Sequence, residues 1–391
     1  MRETSLVYIV KDEKVLMLHR IRKENDENHG KWIGVGGKFE QGECPEDCMR
    51  REVLEETGLH IDRYRYCGIV TFQNDDAETE FMHLFLVTAF HKAGENQTRD
   101  DQTRDDGQSA DDEVVSFEEG DLAWLPKSRL TRIPHWAGDR IFLSLIFAEP
   151  EVPFFSLKLV YRKGDLIRAS LNEHNCLVTD RLILRPFLER DARSLYEQAS
   201  NPAIGLPAGW PPHKSPQESL GVIRDVLSRP EVYAIVLRDT ADPVGAVALQ
   251  NFRLADENGS LLTFYDERRT KSPLICTMPE SGEVQPGVQF EAEIGYWLGE
   301  KYWGAGLMTE AAKAVIAHGF RDLNLSRIWC GFYRGNERSA ATQKRLGFHY
   351  HHVDEKAEVK LLGEVREEIV NVMTREEWLM QDDEAAESLT V

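Results

Sequence analysis

The sequence predicts a mixed α/β protein that folds as two successive domains. Its 391 residues are enough for two to three domains with full hydrophobic cores. In the first half, short apolar strand patterns flank one strongly helical segment, which starts at Pro45 and stops at Gly58. In the second half, a strand pattern at residues 293–298 is followed by a glycine turn and a helix pattern that begins at Leu307.

A polar stretch at residues 163–175 marks the expected boundary between the two domains. We therefore expect a domain at 1–168, a linker at 169–176 and a second domain at 177–391. Another polar stretch, 94–112, contains the tandem repeat QTRDD-QTRDD and no apolar residue larger than alanine. Such a segment cannot build a core, so we expect it to be a disordered surface loop.

The first half has the pattern of several strands and two helices. Residues 5–10 and 14–19 form a predicted hairpin that turns at 11–13. The other predicted elements are, in order, the helix from Pro45 to about Thr57, strands at 69–72, 82–90 and 122–126, a helix at 141–148 and a closing strand at 154–161. On the first helix Met49 and Val53 are four residues apart, and we expect both to face a core.

The composition limits the partners and the compartment. A net charge of −20 argues against a nucleic-acid polymer as partner, because a phosphate backbone is bound by clustered Lys and Arg. The six cysteines include no CxxC pair, so we expect no zinc site and reduced thiols in the cytoplasm. Met1 does not open a basic-then-apolar leader and no apolar run approaches about 18 residues, so nothing indicates export or a membrane partner.

Three acidic side chains share one face of the first helix. Glu52, Glu55 and Glu56 are related by spacings of three and four residues. One interpretation is a solvated acidic surface. The other is a site for a hard divalent cation such as Mg²⁺ or Mn²⁺, because a bound cation removes the repulsion between the carboxylates and would also bind substrate phosphates.

The residues around these acids resemble a known motif. The stretch 37–59 matches the Nudix box, G-x5-E-x7-R-E-U-x-E-E-x-G-U with U an aliphatic residue, at every fixed position. The matching positions are Gly37, Glu43, Arg51, Glu52, Val53, Glu55, Glu56, Gly58 and Leu59. The resemblance implies an α/β/α sandwich that hydrolyses a nucleoside diphosphate linked to another group. We expect Gly37, Glu43, Arg51 and Gly58 to be structural, with Arg51 holding a glutamate through a bidentate ion pair.

From about residue 6 to 166 the chain is similar to the MutT-like 8-oxo-dGTP diphosphatases, and the likeness includes residues 30–40. By residue match, the resemblance implies a metal-binding set of the Gly36 carbonyl, Glu52, Glu55, Glu56 and Glu119. Metal held there would offset phosphate charge and lower the pKa of a bound water. Glu56 is the first candidate for the base that takes this water's proton, and Glu119 is the second. The alternative for Glu119 is an ordinary surface turn.

The same resemblance implies a purine-binding site but does not determine which purine base is bound. Trp136 falls where the family stacks on the purine, Asp139 falls where it hydrogen-bonds the purine, and Lys38 is expected to bind substrate. A hydrophobic lid is the alternative for Trp136. Ile33 stands where the animal enzymes have an asparagine that reads the base, and Gly138 replaces one of two adjacent aspartates. The expected products are a nucleoside monophosphate and pyrophosphate.

The second half contains a strand, a glycine turn at 301–306 and a helix, an order that points backbone N–H groups at a phosphate. The elements predicted before it are a strand around Leu182 and Leu184 in the stretch 177–187, a helix at 191–200, a hairpin of 233–238 with 243–251 and a long loop at 254–287. After it come the helix 307–320, the strand 327–333 and the short motifs at 336–339 and 346–348. Together these features resemble the GNAT acetyltransferases, in particular the RimJ/RimL-like branch, over roughly residues 177–379.

This second resemblance implies an α+β domain that uses acetyl-CoA as co-substrate. The implied acetyl-CoA-binding residues are Tyr296, Trp297, Leu298, Gly304, Ala305, Gly306, Leu307, Met308, Asn336 and Ser339. Glu293 is the candidate base that deprotonates the acceptor amine through water, with an ordinary sheet glutamate as the alternative. Lys301 stands where the family has Arg or Gln, and Gln343 where many members have a tyrosine that protonates the leaving thiolate.

Three hypotheses for the whole chain follow. The first is a bifunctional enzyme that hydrolyses a nucleotide substrate and acetylates a primary amine, which could be a protein N-terminus. The second is an active Nudix hydrolase with a non-catalytic, acyl-CoA-binding GNAT domain. The third is an acetyltransferase whose Nudix domain only recognises a nucleotide-linked substrate, and the intact box argues against it. We favour the first hypothesis.

Overall fold

The computed structural model describes residues 1–22, 26–75, 77–92, 115–117, 120–238, 240–256, 261–264 and 288–388. These residues form two compact units, Met1–Asn172 and Glu173–Val391. The predicted loop at 94–112, Glu119 and most of the predicted loop at 254–287 lie outside the described residues. Within the described part, no helix is both long and apolar enough to cross a membrane.

Unit 1 is a mixed sheet with two helices. Its elements are β1 (Arg2–Lys11), β2 (Lys14–His19), β3 (Trp32–Ile33), α1 (Pro45–Thr57), β4 (Leu59–Asn74), β5 (Glu80–Lys92), β6 (Val115–Phe117), β7 (Gly120–Pro126), α2 (Asp139–Ile146), β8 (Phe155–Arg162) and β9 (Asp165–Leu171). The strand order is β6-β7-β2-β1-β5-β4-β8-β9, and β3 pairs with the end of β2. The β1–β5 and β4–β8 pairs are parallel.

The two helices cover opposite faces of this sheet, as the alternation of side chains along β1 shows. Val7 and Ile9 lie in one core with Met49 and Val53 of α1, all fully buried. Between them, Tyr8 points to the other face and its ring contacts Phe142 of α2, with ring centroids 6.1 Å apart. Unit 1 is therefore the expected α/β/α sandwich, with the predicted core positions of the first helix confirmed.

Unit 2 is an α+β domain built on a second sheet. Its elements are β10 (His174–Val178), β11 (Leu182–Arg185), α3 (Ala192–Ala199), α4 (Pro202–Gly205), α5 (Pro216–Val222), β12 (Val232–Leu237), β13 (Pro243–Asp256), β14 (Leu261–Phe264), β15 (Val288–Leu298), α6 (Leu307–Arg321), β16 (Arg327–Tyr333), α7 (Glu337–Leu346), β17 (His349–Val359), β18 (Glu364–Thr374) and α8 (Arg375–Ser388). The strand order is β10-β11-β12-β13-β15-β16-β18-β17, and β14 pairs with β13.

The central feature of unit 2 is the divergence of β15 from β16. These strands are parallel and pair only where Glu291, Ala292 and Glu293 face residues 327–329. Beyond that point β15 continues to Leu298 without a partner in β16, so a wedge opens between the two strands. On one face of the sheet, α6 packs against a core that includes apolar residues of both strands.

Two expectations about connecting segments were wrong. The loop expected from residue 254 begins later, because β13 runs to Asp256 and pairs Leu254 and Ala255 with β15, with Ala255 fully buried. The segment 169–176, expected as a linker, is largely strand: Ala169 and Leu171 of β9 are buried. A polar composition concealed the alternate apolar positions that hold both segments in sheets.

Candidate active sites

The glycine loop before α1 lies on β1 and brings two of the predicted carboxylates to its backbone. Ser5 donates its N–H to the Gly37 carbonyl at 2.9 Å. A Cβ atom on Gly37 would lie 2.2 Å from Oε1 of Glu52, so only glycine leaves room for that carboxylate. The Gly36 N–H donates to Oε2 of Glu56 at 3.2 Å. The structure therefore brings Gly36, Gly37, Glu52 and Glu56 together.

Arg51 organises the acids of α1. Its guanidinium makes the expected bidentate ion pair, with Nε to Oε1 of Glu43 at 2.7 Å and Nη2 to Oε2 at 3.0 Å. It also donates to Glu52 at 2.8 Å and to Glu55 at 3.2 Å, and Nη2 donates to the Lys38 carbonyl at 2.9 Å. The hydrogen bond from Arg51 lowers the pKa of Glu43 to about 2. This arginine thus holds the loop at residue 38 against the helix.

The donor set suits a hard divalent cation, although the side chains are not gathered around one point. Among the described residues, no three His, Cys, Asp or Glu side chains lie close enough to hold a metal ion. The reason is local: Glu52 and Glu55 both turn toward Arg51, while Glu56 accepts from Gly36. Carboxylate and carbonyl oxygens are nevertheless the ligands that Mg²⁺ prefers. Glu119 lies outside the described residues.

The predicted purine residues lie together at the start of α2. Trp136 is half-buried, and its ring contacts Phe72 and Tyr161 at centroid distances of 5.4 and 4.9 Å. The Lys31 ammonium lies 4.1 Å from the Trp136 ring centroid, a cation–π contact. Three residues along the chain, Asp139 is only 6% exposed. Burial raises the pKa of Asp139 to about 7, so its carboxyl group is poised between its protonated and ionised forms near neutral pH.

The replacement of an aspartate by Gly138 has a steric reason. A Cβ atom at this position would lie 2.7 Å from the Leu159 side chain and 2.9 Å from the Tyr161 hydroxyl. The Tyr161 hydroxyl instead accepts the Gly138 N–H at 2.7 Å. An aspartate side chain therefore does not fit at position 138, and Asp139 provides the one carboxyl group at positions 138 and 139.

Unit 2 contains a cavity of about 1020 Å³ at the N-terminus of α6. The predicted acetyl-CoA-binding residues that line it are Tyr296, Trp297, Leu298, Gly304, Gly306, Leu307, Met308, Asn336 and Ser339. Ala305 is not part of the lining, and its carbonyl accepts a hydrogen bond from Arg181 at 2.8 Å. Gly306 caps α6 with φ at +75°, a conformation that a side chain would strain. The turn thereby leaves the first N–H groups of α6 facing the cavity.

A chain of polar side chains links the two edges of the wedge. The Tyr296 hydroxyl lies 3.2 Å from the Ser339 hydroxyl. Gln343 is fully buried, and it donates to Ser339 and to the Gly331 carbonyl, both at 3.2 Å. Asn371 donates to the Gln343 carbonyl oxygen at 2.7 Å. An amide in this position has no acidic proton, so Tyr296 and Ser339 are the groups here that carry a hydroxyl proton.

Glu293 lies at the point where the wedge opens. It is the last residue of β15 that pairs with β16. Its carboxylate accepts a hydrogen bond from Asn251 at 2.8 Å, and Asn251 belongs to the irregular part of β13, with φ at +52°. The side chain is half-buried, on the sheet face opposite to α6.

Comparison with known proteins identifies both units. The NUDIX domain family matches residues 1–146. An oxidized purine nucleoside triphosphate hydrolase of Danio rerio is 33% identical over 125 residues, which are 31% of this chain and 76% of that protein. The chain belongs to the Nudix family. The uncharacterized Nudix hydrolase YvcI of Bacillus subtilis is 31% identical over 131 residues, 33% of this chain and 68% of that protein.

The C-terminal part of this Nudix protein is a GNAT acetyltransferase domain. The family described as "Acetyltransferase (GNAT) domain" matches residues 181–349. The uncharacterized N-acetyltransferase YoaA of Bacillus subtilis is 26% identical over 172 residues, 44% of this chain and 81% of that protein. The chain is therefore an enzyme that joins a Nudix hydrolase domain to an acetyltransferase domain.

Sequence reasoning did not single out several residues that lie beside the predicted ones. Lys31 and Asn28 both contact Trp136, with Asn28 accepting from the Trp136 indole N–H at 2.8 Å. Lys31 directly precedes Trp32 in the segment that carries the MutT-like resemblance, so that segment was a usable signal. In the GNAT domain, Glu368 lies next to Gly331, and no sequence motif marks it.

Proposed function

We propose that this chain is a bifunctional enzyme. Its Nudix domain, at 1–168, hydrolyses oxidised purine nucleoside triphosphates such as 8-oxo-dGTP to the monophosphate and pyrophosphate, using Mg²⁺ or Mn²⁺. Its GNAT domain, at 177–391, transfers an acetyl group from acetyl-CoA to a primary amine. The observation that carries the hydrolase half is the placement of Glu52 and Glu56 against Gly36 and Gly37.

In the hydrolase reaction, Glu52, Glu55, Glu56 and the Gly36 carbonyl would hold the divalent cation, and Glu119 is a further candidate ligand. When bound, the cation neutralises phosphate charge and acidifies a water molecule. Glu56 takes the proton of the water that attacks phosphorus, and Glu119 is the second candidate for this step.

The purine would be held at Trp136 and Asp139, with Lys38 toward the phosphates. Trp136 offers a ring, and the nearby Lys31 ammonium adds positive charge beside it. Asp139, with a pKa of about 7, can donate a hydrogen bond when protonated or accept one when ionised. The name of the Danio rerio relative, which acts on oxidised purine nucleoside triphosphates, supports this choice of substrate.

The test is release of monophosphate and pyrophosphate from a nucleotide panel with Mg²⁺. The panel contains 8-oxo-dGTP, the ordinary dNTPs and NTPs, and ADP-ribose. We expect Glu56→Gln to lower turnover by roughly 100-fold or more. Glu13→Gln, which alters a carboxylate that is 89% exposed, serves as the control. Preference for another nucleotide would change the substrate, and no turnover of any nucleotide would refute the hydrolase half.

In the acetyltransferase reaction, the acetyl-CoA pyrophosphate would lie on the backbone N–H groups at residues 304–308. Glu293 would accept the amine proton through water. Because Gln343 has no proton to give, Tyr296 or Ser339 would protonate the leaving thiolate. The cavity at the start of α6 supports this half.

Acetyl-CoA consumption with a panel of amines tests this half, and the Nudix variant Glu56→Gln provides a folded control. Turnover that depends on the amine supports acetyl transfer. Coenzyme A binding without turnover would favour the alternative, an active hydrolase with a GNAT domain that only binds acyl-CoA.

A further inference from the structure

One acidic residue of the GNAT domain stands out because the described residues do not compensate its charge. Glu368 of β18 lies opposite Tyr333 of β16, on the sheet face away from α6. A Cβ atom on Gly331 would lie 2.1 Å from Oε1 of Glu368, so the carboxylate extends over the backbone of β16. Gly331 belongs to the edge of the wedge that has separated from β15.

This carboxylate lies near the opening of the wedge, on the same face as Glu293. Side chains alternate along β15, so Ala292 and Ile294 face the core while Glu293 points to the opposite face. The charges of Glu293 and Asp354 act on Glu368. Burial, and then these two charges, raise the pKa of Glu368. Two carboxylates of one sign therefore lie on the same face of the sheet, on either side of the wedge.

The acetyl-CoA cavity reaches this face of the sheet. Tyr296 and Ser339 line the cavity on the helix side, whereas Trp297 lines it from the other face, where its ring lies 6.1 Å from the ring of Trp210. The cavity is thus lined by neighbouring residues of β15 whose side chains belong to opposite faces, in the part of the strand that has separated from β16. Neither Glu293 nor Glu368 is part of the cavity lining, so an acceptor held by these two acids would reach the thioester from outside the cavity.

Neighbouring acids show that an uncompensated carboxylate is not the rule on this sheet. Glu291 is fully buried and pairs with Arg253 at 3.0 Å and Arg327 at 3.2 Å. Glu367, adjacent to Glu368, pairs with Arg334. Within the described part of the chain, the Glu368 carboxylate has neither a hydrogen bond nor an ion pair. A half-buried acid beside another acid costs free energy that a bound cation would remove.

We propose that Glu368 is a second acidic residue of the acceptor site and that, together with Glu293, it binds the ammonium group of a primary amine and receives its proton. This inference rests on the acetyl transfer proposed above and names its acceptor as a primary alkylammonium compound. It also assigns a role to Glu368, which no motif indicated.

The ammonium group gives one proton to the carboxylate pair, and the free amine forms the new C–N bond with the thioester carbonyl carbon. The C–S bond then breaks, the thiolate leaves and takes up the second amine proton through Tyr296 or Ser339. The carboxylate pair returns its proton to solvent. The products are the N-acetylated amine and coenzyme A.

The experiment uses the full chain and the variants Glu368→Gln, Glu293→Gln, their double variant and the control Glu367→Gln. Glu367 is the matched control because it is adjacent in β18, where side chains alternate between faces, and it pairs with Arg334. Coenzyme A binding, measured by calorimetry, should stay within about twofold in every variant and shows that the domain is folded. Spermidine and a short peptide with a free N-terminus are the ammonium probes, and the N-acetylated peptide is the uncharged comparison.

Binding of each probe is measured in the presence of coenzyme A, and acetylation is measured separately with acetyl-CoA. We expect Glu368→Gln to weaken ammonium binding at least tenfold and to lower kcat/KM for the amine roughly 100-fold, with KM for acetyl-CoA unchanged. The double variant should lose less than the product of the two single losses, because the two acids act as a unit. Comparison of spermidine with the peptide shows whether the acceptor is a small polyamine or the N-terminus of a polypeptide chain.

Two results would overturn the inference. One is that Glu368→Gln and Glu367→Gln change ammonium binding and acetylation to the same extent. The other is that the unmodified chain binds no ammonium probe. If the chain binds an ammonium probe in a Glu368-dependent way but never acetylates it, the acetyl transfer fails while the acceptor-site assignment stands. Acetylation that Glu368→Gln leaves unchanged supports the transfer and refutes the role of Glu368.

Discussion

Replacement of Asp139 by asparagine should change how the stability of the Nudix domain depends on pH. Asp139 is 6% exposed, and burial raises its pKa from the ordinary 3.8 to about 7. Between these two values the folded chain holds a proton that the unfolded chain has released. The free energy of unfolding therefore falls as the pH rises from about 4 to about 7 and levels off above it.

The magnitude follows from the pKa values. A tenfold change in a protonation constant is worth about 1.4 kcal/mol, so a pKa that moves from 3.8 to about 7 corresponds to about 4 kcal/mol in total. About 2 to 3 kcal/mol of this is lost between pH 5 and pH 8. Asparagine has nearly the same shape and does not ionise, so Asp139→Asn should not suffer this loss.

The assay is urea unfolding of the full chain and of Asp139→Asn between pH 5 and pH 8.5. The difference in unfolding free energy between the two proteins should move by about 2 to 3 kcal/mol in favour of the variant as the pH rises. Asp165→Asn, at an exposed position that starts β9, is the control and should show a flat difference. A flat difference for Asp139→Asn as well would refute the argument that burial keeps this carboxyl group protonated near neutral pH.

Three other substitutions test separate contacts. Gly37→Ala should reduce hydrolysis and Mg²⁺ affinity with little loss of stability, because the new Cβ atom would lie 2.2 Å from a carboxylate oxygen of Glu52 in α1. A Mg²⁺ titration that matches that of the unmodified chain would contradict this prediction. Glu291→Gln should lower the free energy of unfolding by about 2 to 3 kcal/mol in urea, because it leaves the two paired arginines partly buried without a counter-charge. Burial alone would lower the pKa of His318, but Asp322 and Glu231 raise it to about 9. The stabilisation that His318 contributes should thus be complete below about pH 6.5 and disappear as the pH passes 9, so the stability gap to His318→Gln should narrow between pH 7 and pH 10.

The elements that sequence predicted well have a strong local signal. The helix expected at 45–57 has these bounds because proline suits its first turn and Gly58, with φ at +69°, ends it. The strand at 327–333 was likewise predicted with its observed ends. Buried strands with alternating or continuous apolar residues leave a pattern that a single sequence can show.

The elements that were missed lack such a pattern. Strands β17 and β18 form a long hairpin, yet most residues of β17 are exposed and its sequence, HYHHVDEKAEV, does not alternate cleanly. Only Ala357 and Val359, near the end of β17, are buried, so most of the strand has no hydrophobic period and its position depends on pairing that the sequence does not display. Strand β4 was found only toward its C-terminal end, at 69–72, for the same reason, because the stretch before residue 67 is polar and largely half-buried.

The residues of the candidate sites also differ in whether a local sequence pattern marks them. The box residues of α1 were predictable because they lie within about one helical segment, where spacing determines which side chains share a face. Glu368 could not be found this way. It shares a sheet face with Glu293 only because β18 pairs with β16 and β16 pairs with the last residues of β15 before the wedge. Register between strands that are distant in sequence determines this placement, and no local pattern encodes it.

The acidic residues of this chain differ in whether nearby arginines compensate their charge. This difference supports a distinction between acids that stabilise the fold and acids that are proposed to bind a ligand. Glu291 is matched by two arginines, and Glu43 receives the bidentate pair of Arg51, so both acids hold the fold without help from solution. Arg51 also meets two further acids of α1, and a single guanidinium cannot neutralise three carboxylates. The charges of Glu293 and Asp354 raise the pKa of Glu368, and its carboxylate has no ion pair among the described residues. Such arrangements raise the free energy of the folded state, so a stable fold does not require them. On the two proposals made above, a cation that arrives with the substrate would compensate these charges in both domains: a divalent metal at α1 and an ammonium group at the wedge.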